Sequence, residues 1–167
     1  MSTTEPAIAP AGSAIRLQGV ARRFGHRWVL RGVDLEVEPG SVVAMTGRNG
    51  SGKTTLLRIV ATLLRPTRGT AAVFGHDTVQ SPEGIREVVG LLGHNTGLYD
   101  DLTAAENLVF SLKMAGRRPD AAEIAARLEQ VGLTHVRNER VRGFSAGMRR
   151  RLGLARLLLR PPRLLLR

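Results

Sequence analysis

Hydrophobic and polar residues alternate in two segments near the start of the chain. Ile15 and Leu17 alternate with polar residues in the segment Ile15 to Val20, and Val33, Leu35 and Val37 repeat the spacing of two, a period typical of strands with one buried face. Pro39-Gly40 then indicates a turn. The following segment, Ser41 to Thr46, is a nearly continuous apolar run. Such a run predicts a strand that is covered on both faces, as in a parallel sheet.

The next part of the chain predicts one helix and two strands. The helix should run from about Lys53 to Leu64, because Pro66 cannot continue it. Apolar runs predict strands from Thr70 to Phe74 and from Val88 to Gly93.

The second half of the chain carries helix-start signals. The segment Thr103-Ala104-Ala105-Glu106 is a capping box and predicts a helix from about Ala104. Asp120 should cap a second helix, and Ser145 a third that runs to Arg160. A further apolar run occupies residues 163–167. The half is therefore predicted to be mainly helical.

Length and composition narrow the class of protein. The 167 residues suffice for one domain with a real core. The absence of cysteine excludes disulfides and thiolate metal sites. The sequence contains no uninterrupted run of 18 apolar residues, which is the length that a membrane-spanning helix needs. Residues 1–14 lack the basic and apolar regions of a secretory signal, so we expect a disordered tail there.

The net charge of +11 raises the alternative of a nucleic-acid binder. Ten arginines lie between Arg137 and Arg167, against the single acid Glu139, and arginines neutralise phosphates. A chain with only 4% aromatic residues has few side chains on which to stack bases. We therefore expect no nucleic-acid partner, and the alternative explanation of the charge is an acidic partner segment that is missing from the end of the chain.

One motif predicts a phosphate-binding loop with more specificity than any other feature. Gly47-Arg48-Asn49-Gly50-Ser51-Gly52-Lys53-Thr54 matches the pattern G-x-x-x-x-G-K-[ST] between a predicted strand and a predicted helix. Glycines let backbone N–H groups approach a triphosphate, and the helix directs its positive end at the same anion. Lys53 supplies a positive charge to the outer phosphates, and the Thr54 hydroxyl is a ligand for Mg²⁺. The expected ligands are ATP and Mg²⁺.

Two motifs together resemble the ATP-binding subunits of ABC transporters. Residues 47–55, GRNGSGKTT, are similar to the Walker A motif of that family, so Thr55 joins the candidate ATP-binding residues. Ser145, Ala146, Gly147 and Met148 stand where the family carries its signature, usually LSGGQ. Ser145 and Gly147 match that signature, whereas Ala146 and Met148 depart from it. The resemblance covers residues 15–167.

The resemblance implies a fold and a set of partners. The fold class is α/β: a P-loop NTPase core with an N-terminal antiparallel β portion, a helical subdomain at about 103–141 and an incomplete parallel sheet. Two ATP-binding subunits, identical or paired, would meet head to tail, so that the signature residues bind the ATP of the partner. The assembly would lie peripherally on the cytoplasmic face of the cell membrane, against transmembrane permease subunits.

Two further positions follow from the resemblance. Phe24 stands where the family places an aromatic residue that stacks on adenine, and Trp28 is the alternative. His94 stands at the position of the Q-loop glutamine, which touches Mg²⁺ and the attacking water, and is thus a candidate catalytic residue. The Gly93-His94 pair and the later LT-x-x-ENL pattern resemble the haem-exporter ATPase of cytochrome c maturation. Export of a drug or polysaccharide is the alternative.

The family's hydrolytic carboxylates have no counterpart in the printed residues. In the family, four apolar residues precede an Asp-Glu pair, whereas the run Leu164-Leu165-Leu166 is followed by Arg167. Without the Glu, the attacking water has no general base. We therefore expect a chain cut off before these residues, which binds ATP without hydrolysing it. A decoy module that pairs with an intact subunit is the alternative of another class.

Overall fold

The computed structural model describes residues 12–92 and 97–167. The chain forms two compact units, Met1–Val89 and Gly90–Arg167. The helices and strands are, in chain order, β1 (Ile15–Phe24), β2 (Arg27–Val37), α1 (Lys53–Val60), β3 (Arg68–Val73), β4 (His76–Asp77), α2 (Pro82–Val88), β5 (Val89–Leu91), α3 (Ala104–Met114), α4 (Ala121–Gln130), α5 (Ala146–Leu158) and β6 (Leu164–Leu166).

The first unit is built on an antiparallel sheet of order β2-β1-β3-β4. In strand β1, which pairs with both β2 and β3, Leu17 lies opposite Leu35 of β2 and opposite Ala71 of β3. The alternation seen in the sequence places one set of side chains, including Leu17 and Val73, in the core. Helix α1 buries Leu56, Ile59 and Val60. The predicted antiparallel portion at the N-terminus is confirmed.

The prediction of a strand from Ser41 to Thr46 is wrong. Residues 41–46 adopt neither strand nor helix, and the side chains of Val42 and Val43 are 98% and 53% exposed. A strand of the parallel, doubly covered type is stable only when neighbouring strands pair with it. None of the described strands pairs with these residues, so the apolar pattern alone does not produce a strand.

Helix α1 is shorter than predicted because the chain turns directly after Val60. Thr62 has φ of 60°, in the left-handed region. The N–H groups of Leu63 and Leu64 both donate to the carbonyl oxygen of Arg58, at 2.8 and 3.2 Å. This left-handed closure satisfies a carbonyl group that the helix end would leave free. The third predicted helix also ends early, at Leu158 instead of Arg160.

Helix α2 and strand β4 were not predicted. A signal for α2 was present, because Ser81 is its N-cap residue, Pro82 occupies its first turn and Glu83 follows. These are residue types that favour a helix start. No comparable signal marks the two residues of β4.

The second unit is mainly helical and has its own core. The predicted starts are confirmed: Thr103 and Glu106 exchange both capping-box hydrogen bonds, and Asp120 accepts from Ala122 N–H. Strands β5 and β6 form a separate two-stranded sheet, extended by a bond of 2.8 Å from Leu92 N–H to Leu166 O. The buried core residues of the unit are Ala104, Leu108, Leu112, Ile124, Leu128, Val131, Leu133, Val136, Val141, Phe144, Leu152, Ala155 and Leu159.

Within residues 12–92 and 97–167, none of the helices combines the length and the apolar character needed to cross a bilayer. The same residues contain no group of His, Asp or Glu side chains that could hold a metal ion by themselves.

Candidate functional site

The predicted phosphate loop has a backbone that requires glycine. Gly47, Gly50 and Gly52 have φ values of 147°, 80° and 98°, in the region that other residues rarely adopt. Between them, Ser51 N–H donates to Arg48 O at 3.2 Å and closes a turn. Three of the motif's glycines thus have a conformational reason to be glycine.

Gly52 also lies too close to its neighbours to carry a side chain. A Cβ atom at this position would lie 2.7 Å from Cδ2 of Leu30 and 3.1 Å from the carbonyl oxygen of Val29, both on strand β2. At Gly47, a Cβ atom would approach Oγ of Ser51 to 3.0 Å. The loop therefore packs its backbone directly on β2, and side chains are absent where a phosphate group needs close access to N–H groups.

The side chain of Lys53 is held inside this loop. Its Nζ atom donates to the carbonyl oxygens of Gly47 and Arg48 at 2.6 and 3.0 Å. Lys53 is also the first residue of α1, whose first turn contains no acidic residue. The ammonium group and the positive end of the helix therefore lie together without a carboxylate in that turn. This combination suits a polyphosphate.

The other motif residues surround Lys53 with exposed side chains. Arg48, Asn49, Ser51 and Thr54 are exposed, and Thr55 is half-buried. The Thr54 hydroxyl is accessible at the start of α1, as a Mg²⁺ ligand needs to be.

The two candidate adenine-binding aromatics have different surroundings. The Phe24 side chain is 46% exposed, and the guanidinium carbon of Arg22 lies 4.6 Å from its ring centroid. The ring of Trp28 is half-buried and faces the guanidinium groups of both Arg23 and Arg68, at 5.6 and 5.4 Å. Phe24 is therefore the more accessible ring for a nucleobase.

Strand β2 connects the aromatic position to the phosphate loop. Phe24 pairs with Arg27 at the end of the β1–β2 hairpin. Val29, whose carbonyl oxygen borders Gly52, lies two residues further on, a distance of about 7 Å along a strand. The fold thus brings Phe24 and the loop to the same region of the first unit.

The signature residues form a second exposed helix start, in the second unit. Ser145 is the N-cap residue of α5, and its Oγ atom accepts from Met148 N–H at 3.2 Å. Ser145, Ala146 and Gly147 are exposed, while Met148 is half-buried. The first N–H groups of a helix have no partner within the helix. This start therefore offers N–H groups to an anion from outside.

Arg149 braces this helix start, a role that sequence reasoning missed. Its Nε and Nη2 atoms donate to the carbonyl oxygens of Phe144 and Arg142, each at 3.3 Å. Its Nη1 atom forms an ion pair with Asp100. The guanidinium group thus ties the segment before Ser145 to the loop before α3. In the sequence, Arg149 is the first of three consecutive arginines, and nothing there distinguishes it from the other two.

Asn107 holds the same loop from the helix side and was also missed. It is only 2% exposed, although it is polar. Its Oδ1 atom accepts from Tyr99 N–H at 2.8 Å. Its Nδ2 atom donates to the carbonyl oxygens of Tyr99, Thr103 and Leu102, at 3.0, 2.9 and 3.3 Å. Asn107 thereby fixes the backbone on both sides of Asp100.

In the first turn of α3, hydrogen bonds to the carboxylate of Glu106 lower the pKa of this group. The backbone N–H of Thr103 makes the largest contribution, and the Thr103 side chain the next. The charged form of Glu106 is thus part of the capping box. His94, the candidate at the Q-loop position, lies outside the described residues.

Comparison with known proteins identifies the family to which these features point. Residues 30–167 match the family model described as ABC transporter. The chain is 41% identical over 161 residues to the ABC transporter ATP-binding protein NatA of Bacillus subtilis, covering 91% of this chain and 65% of that protein. It is 36% identical over 151 residues to the cytochrome c biogenesis ATP-binding export protein CcmA 2 of Cupriavidus metallidurans, covering 90% and 72%.

A further relative and a solved structure agree with these matches. The daunorubicin resistance ATP-binding protein DrrA3 of Streptomyces coeruleorubidus is 40% identical over 157 residues, covering 93% of this chain and 50% of that protein. The structure of CbiO1 from Clostridium perfringens, part of the ABC transporter complex CbiONQ, superposes with a TM-score of 0.71 at 22% identity, covering 92% of this chain and 64% of that one. The α/β P-loop fold class with an antiparallel portion is thereby confirmed. The chain spans between 50% and 72% of the length of these three relatives.

Proposed function

The chain belongs to the ABC transporter family, and we propose that it is an ATP-binding subunit that binds MgATP at residues 47–55. The observation that carries this proposal is the loop around Lys53, where glycines leave room for phosphate and the ammonium group lies at the start of a helix. Lys53 and the backbone N–H groups of the loop would hold the phosphates. Thr54 would hold Mg²⁺, which supplies charge neutralisation to the phosphate oxygens when bound.

Titration calorimetry with MgATP tests the site directly. We expect the wild-type chain to bind and Lys53→Ala to raise Kd by at least about tenfold, since a charge-assisted phosphate contact is lost. Lys113→Ala, the other lysine, on α3 in the second unit, is the matched control and should leave Kd unchanged. Equal affinity of the wild-type and Lys53→Ala chains would refute the proposed site.

We further propose that the signature residues complete the ATP site of a second subunit. The exposed start of α5, with Ser145 and Gly147, would meet the γ-phosphate of an ATP held by the partner's loop. The partner is a second copy or a paired ATP-binding subunit. Sedimentation velocity should therefore show ATP-dependent dimers that Ser145→Ala weakens. A dimer that forms equally without ATP would contradict this proposal.

We propose that His94, at the Q-loop position, contacts Mg²⁺ and the attacking water when MgATP is bound. Phosphate release at saturating MgATP, compared between the wild type and His94→Ala, tests this role, and equal rates of the two would contradict it.

The proposed role is export, with a peripheral position at the cytoplasmic face of the cell membrane and permease subunits as partners. Haem for cytochrome c biogenesis is the proposed cargo, because Gly93-His94 and the LT-x-x-ENL pattern resemble the haem-exporter ATPase and one relative is named a cytochrome c biogenesis ATP-binding export protein. Drug export is the second candidate, because DrrA3 is named for daunorubicin resistance and is 40% identical.

Interference in cells distinguishes the two cargoes. An ATP-binding subunit expressed in a foreign host should compete with the host subunit for its permease. Expression in cells that assemble c-type cytochromes should lower covalently bound haem, whereas expression in cells with a daunorubicin exporter should leave drug resistance unchanged. The reverse pattern would favour drug export. The Lys53→Ala chain is the control for nonspecific toxicity.

A further inference from the structure

The guanidinium group of Arg22 lies over the ring of Phe24 and is held there by a hydrogen bond to the backbone. The guanidinium carbon of Arg22 lies 4.6 Å from the ring centroid, within the range of a cation–π interaction. The Nη1 atom of Arg22 donates to the carbonyl oxygen of Arg65 at 3.0 Å. Arg22 is therefore tied to the backbone just before β3 while it covers one face of the ring.

Only part of the Arg22 guanidinium group is hydrogen-bonded among the described residues. Its Nε atom is buried and makes no hydrogen bond with any described residue. A buried donor without a partner lowers the stability of the fold. The described residues also show no ion pair to Arg22 within 4.0 Å. The contact with Phe24 is thus a main interaction of this guanidinium group, together with the bond to Arg65.

A fixed cation on one face leaves the other face of Phe24 for a ligand. The ring is still 46% exposed, and Phe24 ends β1, opposite Arg27 at the start of β2, the strand that borders the phosphate loop. A bound guanidinium restricts the rotation of the ring before any ligand arrives, so less side-chain entropy is lost on stacking. It also withdraws electron density from the ring, which favours a second π system on the free face.

We propose that Arg22 is a positioning residue that fixes Phe24 for adenine and so makes the site prefer an adenine nucleotide to a bare polyphosphate. This inference rests on the proposed function, because it requires phosphate binding at Lys53. Arg22 acts through Phe24 and does not itself touch the phosphates. Its effect should therefore appear only with ligands that carry a base.

The neighbouring Arg23 provides a matched control. It is adjacent in sequence and carries the same charge, but its guanidinium carbon lies 5.6 Å from the ring centroid of Trp28 instead of over Phe24. Replacing either arginine by alanine removes one positive charge from the same hairpin. A difference between the two variants therefore reports the contact with Phe24 and not the net charge.

Calorimetry with two ligands, MgATP and magnesium tripolyphosphate, tests the proposal on the full chain. We expect Arg22→Ala to raise Kd for MgATP by about two- to fivefold, as expected for an exposed cation–π contact, and to leave Kd for tripolyphosphate unchanged. Arg23→Ala should leave the ratio of the two Kd values as in the wild type. In a Phe24→Ala background, Arg22→Ala should have no further effect on the ratio.

Each contrary result has a distinct meaning. Equal weakening of both ligands by Arg22→Ala, or the same ratio in the Arg22 and Arg23 variants, would overturn the positioning role while MgATP binding stands. Equal Kd values of the wild type for both ligands would also overturn it, because adenine would then contribute nothing. Binding of neither ligand would overturn the proposed function as well. If Arg22→Ala fails to fold by circular dichroism, Arg22→Met keeps the length of the side chain and gives the same comparison.

Discussion

Replacing Asn107 by alanine should destabilise the second unit more than any other single polar substitution on α3. The side chain is 2% exposed and makes four hydrogen bonds to the backbone of residues 99–103. Those residues carry Asp100, which pairs with Arg149 beside the signature residues. The substitution thus removes the link between the helix and the loop that braces the candidate partner site.

The magnitude follows from which groups lose their only partner. Thr103 O still accepts from the backbone N–H of residue 107, and Leu102 O still accepts from Val141 N–H, each at 3.0 Å. Tyr99 O keeps the longer bond from Leu102 N–H, at 3.3 Å. Tyr99 N–H alone loses its acceptor, at a cost of about 1–3 kcal/mol. Together with the weaker loss of additional bonds, we expect a free energy of unfolding lower by about 2–3 kcal/mol.

Urea unfolding followed by circular dichroism measures this change. Ser111→Ala is the matched control, because Ser111 lies one turn later on α3 and its hydroxyl only donates to Asn107 O within the helix, at 3.0 Å. We expect the control to cost less than about 1 kcal/mol. A cost for Asn107→Ala equal to that of the control would refute the reasoning that the amide holds the loop.

Three further predictions concern the loop, the cap and the brace. Gly52→Ala should lower stability and MgATP affinity more than Gly50→Ala. Both residues have positive φ, but of the two only a Cβ at Gly52 would meet other atoms within 4 Å. Urea unfolding and calorimetry on the two variants test this, and equal effects would contradict the packing argument. Because the pKa of Glu106 is lowered in the folded state, its carboxylate stabilises the fold at pH above the unfolded pKa and ceases to do so as the pH falls through the folded pKa. The Tm difference between wild type and Glu106→Gln should therefore shrink from pH 7 to pH 3. Arg149→Ala should cost about 1–2 kcal/mol through its carbonyl and ion-pair contacts, whereas the exposed Arg150→Ala should change urea stability by less than about 0.5 kcal/mol.

Local chemistry predicted the element starts of the second half accurately. The caps at Thr103, Asp120 and Ser145 act as their residue types suggest, because a cap satisfies N–H groups within three residues of itself. The strands β1 to β3 were also predictable, since their alternation directly reports which face is buried. The prediction failed at residues 41–46, where the apolar run describes what a strand would bury but not whether a neighbour exists to pair with it.

The candidate site likewise has one part that the sequence predicts and another part that depends on long-range contacts in the fold. The spacing of three glycines and one lysine within seven consecutive residues was sufficient to predict the candidate phosphate loop, because the geometry of that loop is local. The greater accessibility of the Phe24 ring, compared with that of Trp28, follows from the packing of the folded chain and not from the sequence pattern. The tertiary structure also decided that Arg22 covers the Phe24 ring and that Arg149 and Asn107 hold the loop around Asp100. These contacts join residues up to 49 positions apart. These contacts depend on which strands and helices become neighbours. In a sequence with 23 arginines and two lysines, the basic residues that form contacts can be identified only after the fold has placed them beside their partners.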